Sequence, residues 1–185
     1  MQKEATITTK KEVRYEIEVE GAKGYLAPLT FHVAEAALGY TFRQFPKMIT
    51  AGEIIINSLL VDGSPKFKTD KNSAFFSRAC MEAYKILEML AYEISEDDKI
   101  IVELKGKKYS CQLSKEIARD TLEDALGLIR PNAGNPMPLT AGKMILTSCW
   151  IEGDEEIKTN DELLVPVCLA AYYRIEQKEA SLKKL

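Results

Sequence analysis

The side chains able to do chemistry are few, and their spacing sets narrow limits. The only histidine, His32, sits beside Phe31 near the start of an expected helix. A serine or cysteine nucleophile needs a neighbouring base, and one histidine without a partner motif reads as structural. Cys80, Cys111, Cys149 and Cys168 include no C-x-x-C pair, whereas a zinc site draws its ligands from closely spaced sets. These four read as buried free thiols of a reducing compartment. The acidic runs Glu96–Asp98 and Glu152–Glu156 lack the fixed ligand positions of a calcium loop and read as solvated. Glycine-rich phosphate loops and nucleophile elbows are absent. Lys105, Lys107 and Lys108 mark a basic turn that is expected to be solvated. No catalytic, cofactor-binding or metal residue is assigned, and the chain is read as a non-enzyme.

Residues suited to contact remain. Trp150 is the only tryptophan. It is read as a packed apolar residue or as an interface anchor. Phe42, Arg43, Gln44 and Phe45 place two aromatics and a cation in an expected loop. Phe42, Arg43 and Phe45 suit a partner contact, or they tuck under the neighbouring helix. Phe42, Arg43, Phe45 and Trp150 are the candidate partner-interface residues.

The elements that position them are written twice. Thr50–Gly63 reads TAGEIIINSLLVDG and Thr140–Gly153 reads TAGKMILTSCWIEG. Residues 50–69 align with 140–159 without a gap, and eight of the twenty positions are identical. Upstream, Glu35, Ala37, Leu38 and Gly39 fall on Glu123, Ala125, Leu126 and Gly127. Downstream, Cys80, Ala83, Tyr84 and Glu88 fall on Cys168, Ala171, Tyr172 and Glu176. The shifts fall between elements, as at PNAGNP (Pro131–Pro136), where loops tolerate insertions. The expected organisation is an N-terminal segment 1–11 and two tandem units, 12–97 and 98–185.

Each unit is read as a β-hairpin followed by three helices. Val13, Tyr15, Ile17 and Val19 alternate with charged residues. Ile100, Val102 and Leu104 do the same, as do Tyr109, Cys111 and Leu113, with turns at 21–24 and 105–108. Thr30 and Ser114 stand where helix N-caps belong. The helices they open would bury Val33, Ala36, Ala37 and Tyr40 in one unit and Ile117, Thr121, Leu122, Ala125 and Leu128 in the other. Residues 51–62 and 141–152 are read as short buried helices, with a buried strand as the alternative. For the helix, Thr50 and Glu53 would form a capping box, and Gly63 and Gly153 would be left-handed C-terminal residues. Phe76, Ala79, Cys80, Ala83, Ile86, Leu87, Leu90, Ala91 and Ile94 predict a long amphipathic helix. Its counterpart runs from about Glu162 to Leu182, with Pro166 near its start. The fold class is therefore α+β, two ββααα repeats packed with pseudo-twofold symmetry. Pairing of the two hairpins into one four-stranded sheet is an attractive joint.

The net charge of −3 over 185 residues argues against general nucleic-acid binding. The polar start MQKEATITTKKE lacks the apolar core of a signal peptide, and no run reaches the length of a membrane span. A soluble protein kept where it is made is expected, with no membrane partner.

GYLAPLT (Gly24–Thr30) leading into a helix, and SCWIEGDEEIKTNDEL (Ser148–Leu163), with its W-x-x-G-D run, resemble small tail-assembly chaperones of tailed bacteriophages, here as a tandem duplication. The resemblance implies a protein that binds another virion or tail polypeptide, in the host cytoplasm or with the virion. A small-ligand module with a pocket at the joint between the repeats is the alternative.

Overall fold

The computed structural model describes residues 12–69, 71–130 and 134–176. The segment 1–11, part of the Pro131–Pro136 loop and the expected last turns of the final helix lie outside them. Among the described residues, seven α-helices and two sheets make a mixed α+β fold.

The chain opens with β1 (Tyr15–Val19) and β2 (Ala22–Leu26), antiparallel, with Val19 opposite Ala22. Only Glu20 and Gly21 join them, both left-handed at φ 51° and 75°. Two central residues at positive φ give a turn whose twist matches that of the strands. Helix α1 (Phe31–Thr41) follows, and the Thr30 hydroxyl accepts from the Val33 amide as the sequence predicts. Its buried residues are Ala34, Ala37, Leu38 and Gly39, so the stripe is rotated from the expected one and Ala36 is exposed.

Helix α2 (Met48–Leu59) runs straight into strand β3 (Leu60–Gly63), which pairs with β2. A 3-10 turn (Pro65–Phe67) and helix α3 (Ala74–Glu88) complete the first half. The TAGEIIINSLLVDG stretch is thus both readings in succession, helix to Leu59 and strand after it. The capping box does not form, because the helix starts before Thr50, at Met48, with no side-chain cap. Gly63 is not a helix-ending residue either. Its φ of 133° lies in the strand, and a Cβ there would stand 2.6 Å from the Lys23 carbonyl oxygen.

The second sheet begins where a helix is expected, with β4 (Glu93–Ile94). Strands β5 (Lys99–Leu104) and β6 (Lys107–Leu113) form the second hairpin, turned by Lys105 and Gly106 at φ 53° and 78°. Helix α4 (Arg119–Ile129) starts later than Ser114, whose hydroxyl accepts from the Glu116 amide instead of capping a helix. Ile117 therefore precedes the helix, and Ala125 is the buried residue on α4. Then come α5 (Pro138–Cys149), β7 (Trp150–Gly153), the short α6 (Glu156–Thr159) and α7 (Asp161–Glu176). Pro166 is tolerated as the sixth residue of α7, where the helix forgoes one backbone hydrogen bond.

The strand orders are β1-β2-β3 and β4-β5-β6-β7. The expectation of a bare hairpin per half is corrected. Each hairpin gains a strand from the end of a helix-to-strand segment, and the second also gains β4. The hairpins do not merge into one sheet. A two-stranded ribbon buries too little to persist alone, and β3 and β7 supply the missing partner locally.

Backbone contact sets the helix packing. A Cβ on Gly52 would lie 1.8 Å from the Cys80 carbonyl oxygen, and one on Gly142 would lie 1.9 Å from that of Cys168. Ala51, Ala79, Ala141 and Ala171 are fully buried beside these crossings. Helices α2 and α3, and α5 and α7, approach as closely as they do because the sequence places no side chain there. The buried residues of both sheets and the helices belong to one continuous apolar cluster.

Polar groups tie the two halves together. The Glu35 carboxylate, on α1, accepts from the Leu139 and Thr140 amides at the start of α5, both at 2.9 Å. Asp161, first in α7, accepts from the Phe31 amide at 2.9 Å. Orphan amides of two helices are thus satisfied by carboxylates from distant elements, each favoured by the positive end of the helix dipole. Arg14 pairs with Glu162 at 2.8 Å and Arg174 with Asp98. Asp98 is therefore a structural partner of α7 and not a solvated loop acid.

Candidate functional site

The Phe42–Phe45 segment divides between inside and outside. Phe42 turns inward, edge-on to Tyr172 at 5.4 Å and close to Tyr173. The tucked reading holds for it. Arg43 lies over the Tyr40 ring at 4.2 Å and donates to the Asn135 side-chain oxygen. These contacts hold the loop down, and the Lys47 amide donating to the Tyr40 carbonyl closes it. Phe45 points outward and is 76% exposed, followed by Met48 at 41% and Ile49 at 48% on the first turn of α2. Phe45 is among the residues named from the sequence, and Met48 and Ile49 are not.

Trp150 is half-buried at the start of β7. The Lys158 ammonium lies 3.9 Å from its ring centre. A hollow of about 400 Å³ beside it is lined by Lys143, Leu146, Thr147, Trp150, Lys158 and Leu164. Trp150 is thus packed against the core while half-exposed, with Lys158 over its ring and the hollow beside it. Trp150 opens β7, and Phe45 lies in the loop before α2.

A cavity of about 330 Å³ lies between the halves, lined by residues of β1, α3, β5 and α7. Leu29, Ile86, Leu90, Leu104, Val165 and Pro166 give it apolar walls. Its charged groups are Arg14, Glu103, Asp161 and Glu162. Glu162 is bonded to Arg14 and Asp161 to the Phe31 amide. Burial, reinforced by Glu162, pushes the Tyr15 hydroxyl pKa up, so that phenol stays neutral.

His32 is exposed, edge-on to Phe31. Asp154, within the second acidic run, accepts from the Ser110 amide at 2.8 Å and fixes the end of β7. Among the described residues, no group of three or more histidines, cysteines or acids could hold a metal ion, and no helix is long and apolar enough to cross a membrane.

All four cysteines are buried, and none is in a disulfide. Burial pushes the Cys80 and Cys111 thiols up to about 11, and raises Cys168 further. The thiolate is the reactive species. At pH 8 the native protein should react with a thiol reagent such as Ellman's at essentially none of its four cysteines, and at all four after denaturation. Folded-state pKa values above the unfolded one mean that the folded state holds those protons longer. Stability from Cys80 and Cys111 is complete below about pH 9 and falls as pH rises from 9 to about 11. Rapid labelling of the native protein would contradict the packing of the α2–α3 and α5–α7 crossings.

Comparison with known proteins identifies no relative: no family model, no curated protein and no solved structure matches the chain.

Proposed function

We propose that this chain is a non-enzymatic assembly or structural interaction protein that binds another polypeptide, with the Phe45–Met48–Ile49 surface as its docking face. The observation that carries the proposal is a phenylalanine left 76% exposed beside two further exposed apolar side chains, on a loop fixed by Phe42 and Arg43. Leaving such a side chain in water forgoes about 1.5–3 kcal/mol of burial. A contiguous apolar patch is the usual mark of an interaction site, and aromatics, methionine and arginine are the residues enriched at such sites. The partner class follows the phage tail-assembly resemblance: a virion or tail polypeptide, met in the host cytoplasm or in the virion.

The two halves, 12–97 and 98–185, are proposed to be copies of one module related by a pseudo-twofold axis. Support comes from hydrogen bonds at aligned positions. The Ala27 amide donates to Leu59 as Ser114 does to Cys149. Lys47 donates to Tyr40 as Met137 does to Leu128, and Ser64 to Lys23 as Asp154 does to Ser110. Gly52 meets Cys80 as Gly142 meets Cys168.

The test is affinity capture from the source cells with the wild-type chain and a Phe45→Asp, Ile49→Asp variant. One stoichiometric polypeptide should co-purify with the wild type and fall at least about tenfold with the variant, while the melting temperature stays within about 2 °C. Equal capture by both chains, or no captured polypeptide, would overturn the docking face.

The cavity between the halves favours a second reading, a small-ligand site. Its size is at the lower end for such sites, and two of its carboxylates are already engaged. Native mass spectrometry retaining a small molecule that is lost on Leu104→Trp would favour it over the docking reading.

A further inference from the structure

The hollow beside Trp150 differs from the others in charge. Its six lining residues carry two ammonium groups and no carboxylate, on a chain whose net charge is −3. The neighbouring hollow, which shares Lys143 and Thr147, carries Asp124. The cavity between the halves carries three carboxylates against one arginine. The walls of the Trp150 hollow are apolar, from Leu146, Leu164 and the indole. Ile151, next along β7, is exposed at 59%.

Each ammonium is held over a ring. Lys143 lies 5.1 Å from the Phe31 ring centre and Lys158 lies 3.9 Å from that of Trp150. An aromatic face attracts a cation without neutralising it, so each lysine is positioned and keeps its charge. Lys158 also meets Glu155 at 2.8 Å. That carboxylate belongs to an exposed pair three residues apart, a weak class of interaction, and an incoming carboxylate can displace it.

We infer that this hollow docks an acidic polypeptide segment, with one apolar side chain seated among Leu146, Trp150 and Leu164 and flanking carboxylates paired to Lys143 and Lys158. An inorganic anion would use the lysines and leave the apolar walls wet. A neutral apolar segment would gain nothing from the two cations. An acidic chain carrying an apolar residue satisfies both, and charge-assisted pairs that exclude water are stronger than neutral ones. The site is separate from the Phe45 face, so either can fail while the other stands.

Trp150 is the only tryptophan of the chain, which makes its fluorescence a reporter of this site alone. The probe is a synthetic peptide alternating glutamate and leucine. Its controls are the same peptide with glutamine for glutamate, and citrate as a small anion. A saturable change in Trp150 emission is expected with the acidic peptide. Affinity should fall at least about tenfold in a Lys143→Glu, Lys158→Glu variant and should fall as salt rises. Both substitutions are at lysines whose ammonium groups reach solvent, and circular dichroism checks that the variant is folded. No saturable change, equal binding of the glutamine peptide, an equal response to citrate, or undiminished binding by the folded double variant would each overturn the proposal.

Discussion

Gly142→Ala should lower the folding stability by about 3 kcal/mol, at the upper end for overpacked sites. The added Cβ would stand 1.9 Å from the Cys168 carbonyl oxygen, 2.7 Å from its carbon and 3.2 Å from its Cα. These are backbone atoms of α7, so no side-chain rotation relieves the overlap. The helices must separate, and the buried surface between Ala141, Ile145 and Ala171 opens with them. Gly52→Ala meets the Cys80 backbone at 1.8 Å and should cost as much. Gly127→Ala is the internal control. Gly127 is exposed in α4, and a Cβ there meets nothing within 4 Å. It should stabilise by about 0.4–1 kcal/mol, because alanine has fewer unfolded conformations to lose. Urea titrations should show the midpoint moving in opposite directions for the two kinds of variant, with the slope unchanged. A Gly142→Ala protein as stable as the wild type would refute the α5–α7 crossing.

Glu35→Ala should cost about 2 kcal/mol. Its carboxylate accepts two part-buried amides at 2.9 Å, Leu139 and Thr140. Hydrogen bonds to a charged group are worth about 1.5–3 kcal/mol each in net terms, and loss of an N-cap about 0.5–2 kcal/mol. Alanine leaves both amides short of a partner, with water as a partial substitute. Glu35→Gln should recover about half the loss, since its oxygen can accept one amide while its amino group faces the other donor. The effect should appear locally as faster hydrogen exchange at Leu139 and Thr140, before global unfolding. If exchange there matches the wild type, Glu35 is not the cap of α5. Glu123 is the aligned residue, and it is exposed and paired with Arg119 at 2.8 Å within its own helix. Glu123→Ala should therefore change stability by less than about 0.5 kcal/mol.

Phe45 was chosen as an aromatic in an expected loop and Trp150 as the only tryptophan, at a position aligned with Leu60, and their surroundings explain the limits of that choice. An aromatic in a loop is equally able to fold in or out. The Tyr172 and Tyr173 rings took Phe42 inward, and nothing takes Phe45. Nothing in the sequence marks Lys143 and Lys158 as a pair. Only the return of α6 and α7 past β7 brings them to either side of the same hollow.

Features that depend on neighbours along the chain were legible in the residue order. These are the two hairpins, whose Glu20–Gly21 and Lys105–Gly106 turns need residues tolerant of positive φ, the Thr30 cap, and the apolar stripe of α3 from Phe76 to Leu87. The identical Ala51-Gly52 and Ala141-Gly142 pairs fall within the two segments read as buried. The pairings between distant segments came only with packing. β3 and β7 are four residues long, too short for a period to declare itself, and they become strands because β2 and β6 offer free edges. Gly39 and Gly127 align in sequence, yet a Cβ on Gly39 would lie 2.8 Å from the Pro136 carbonyl oxygen while Gly127 faces open space. Local patterns fix which face an element buries. What that face meets, and whether a carboxylate such as Glu35 reaches a helix end 104 residues away, is settled when the elements pack.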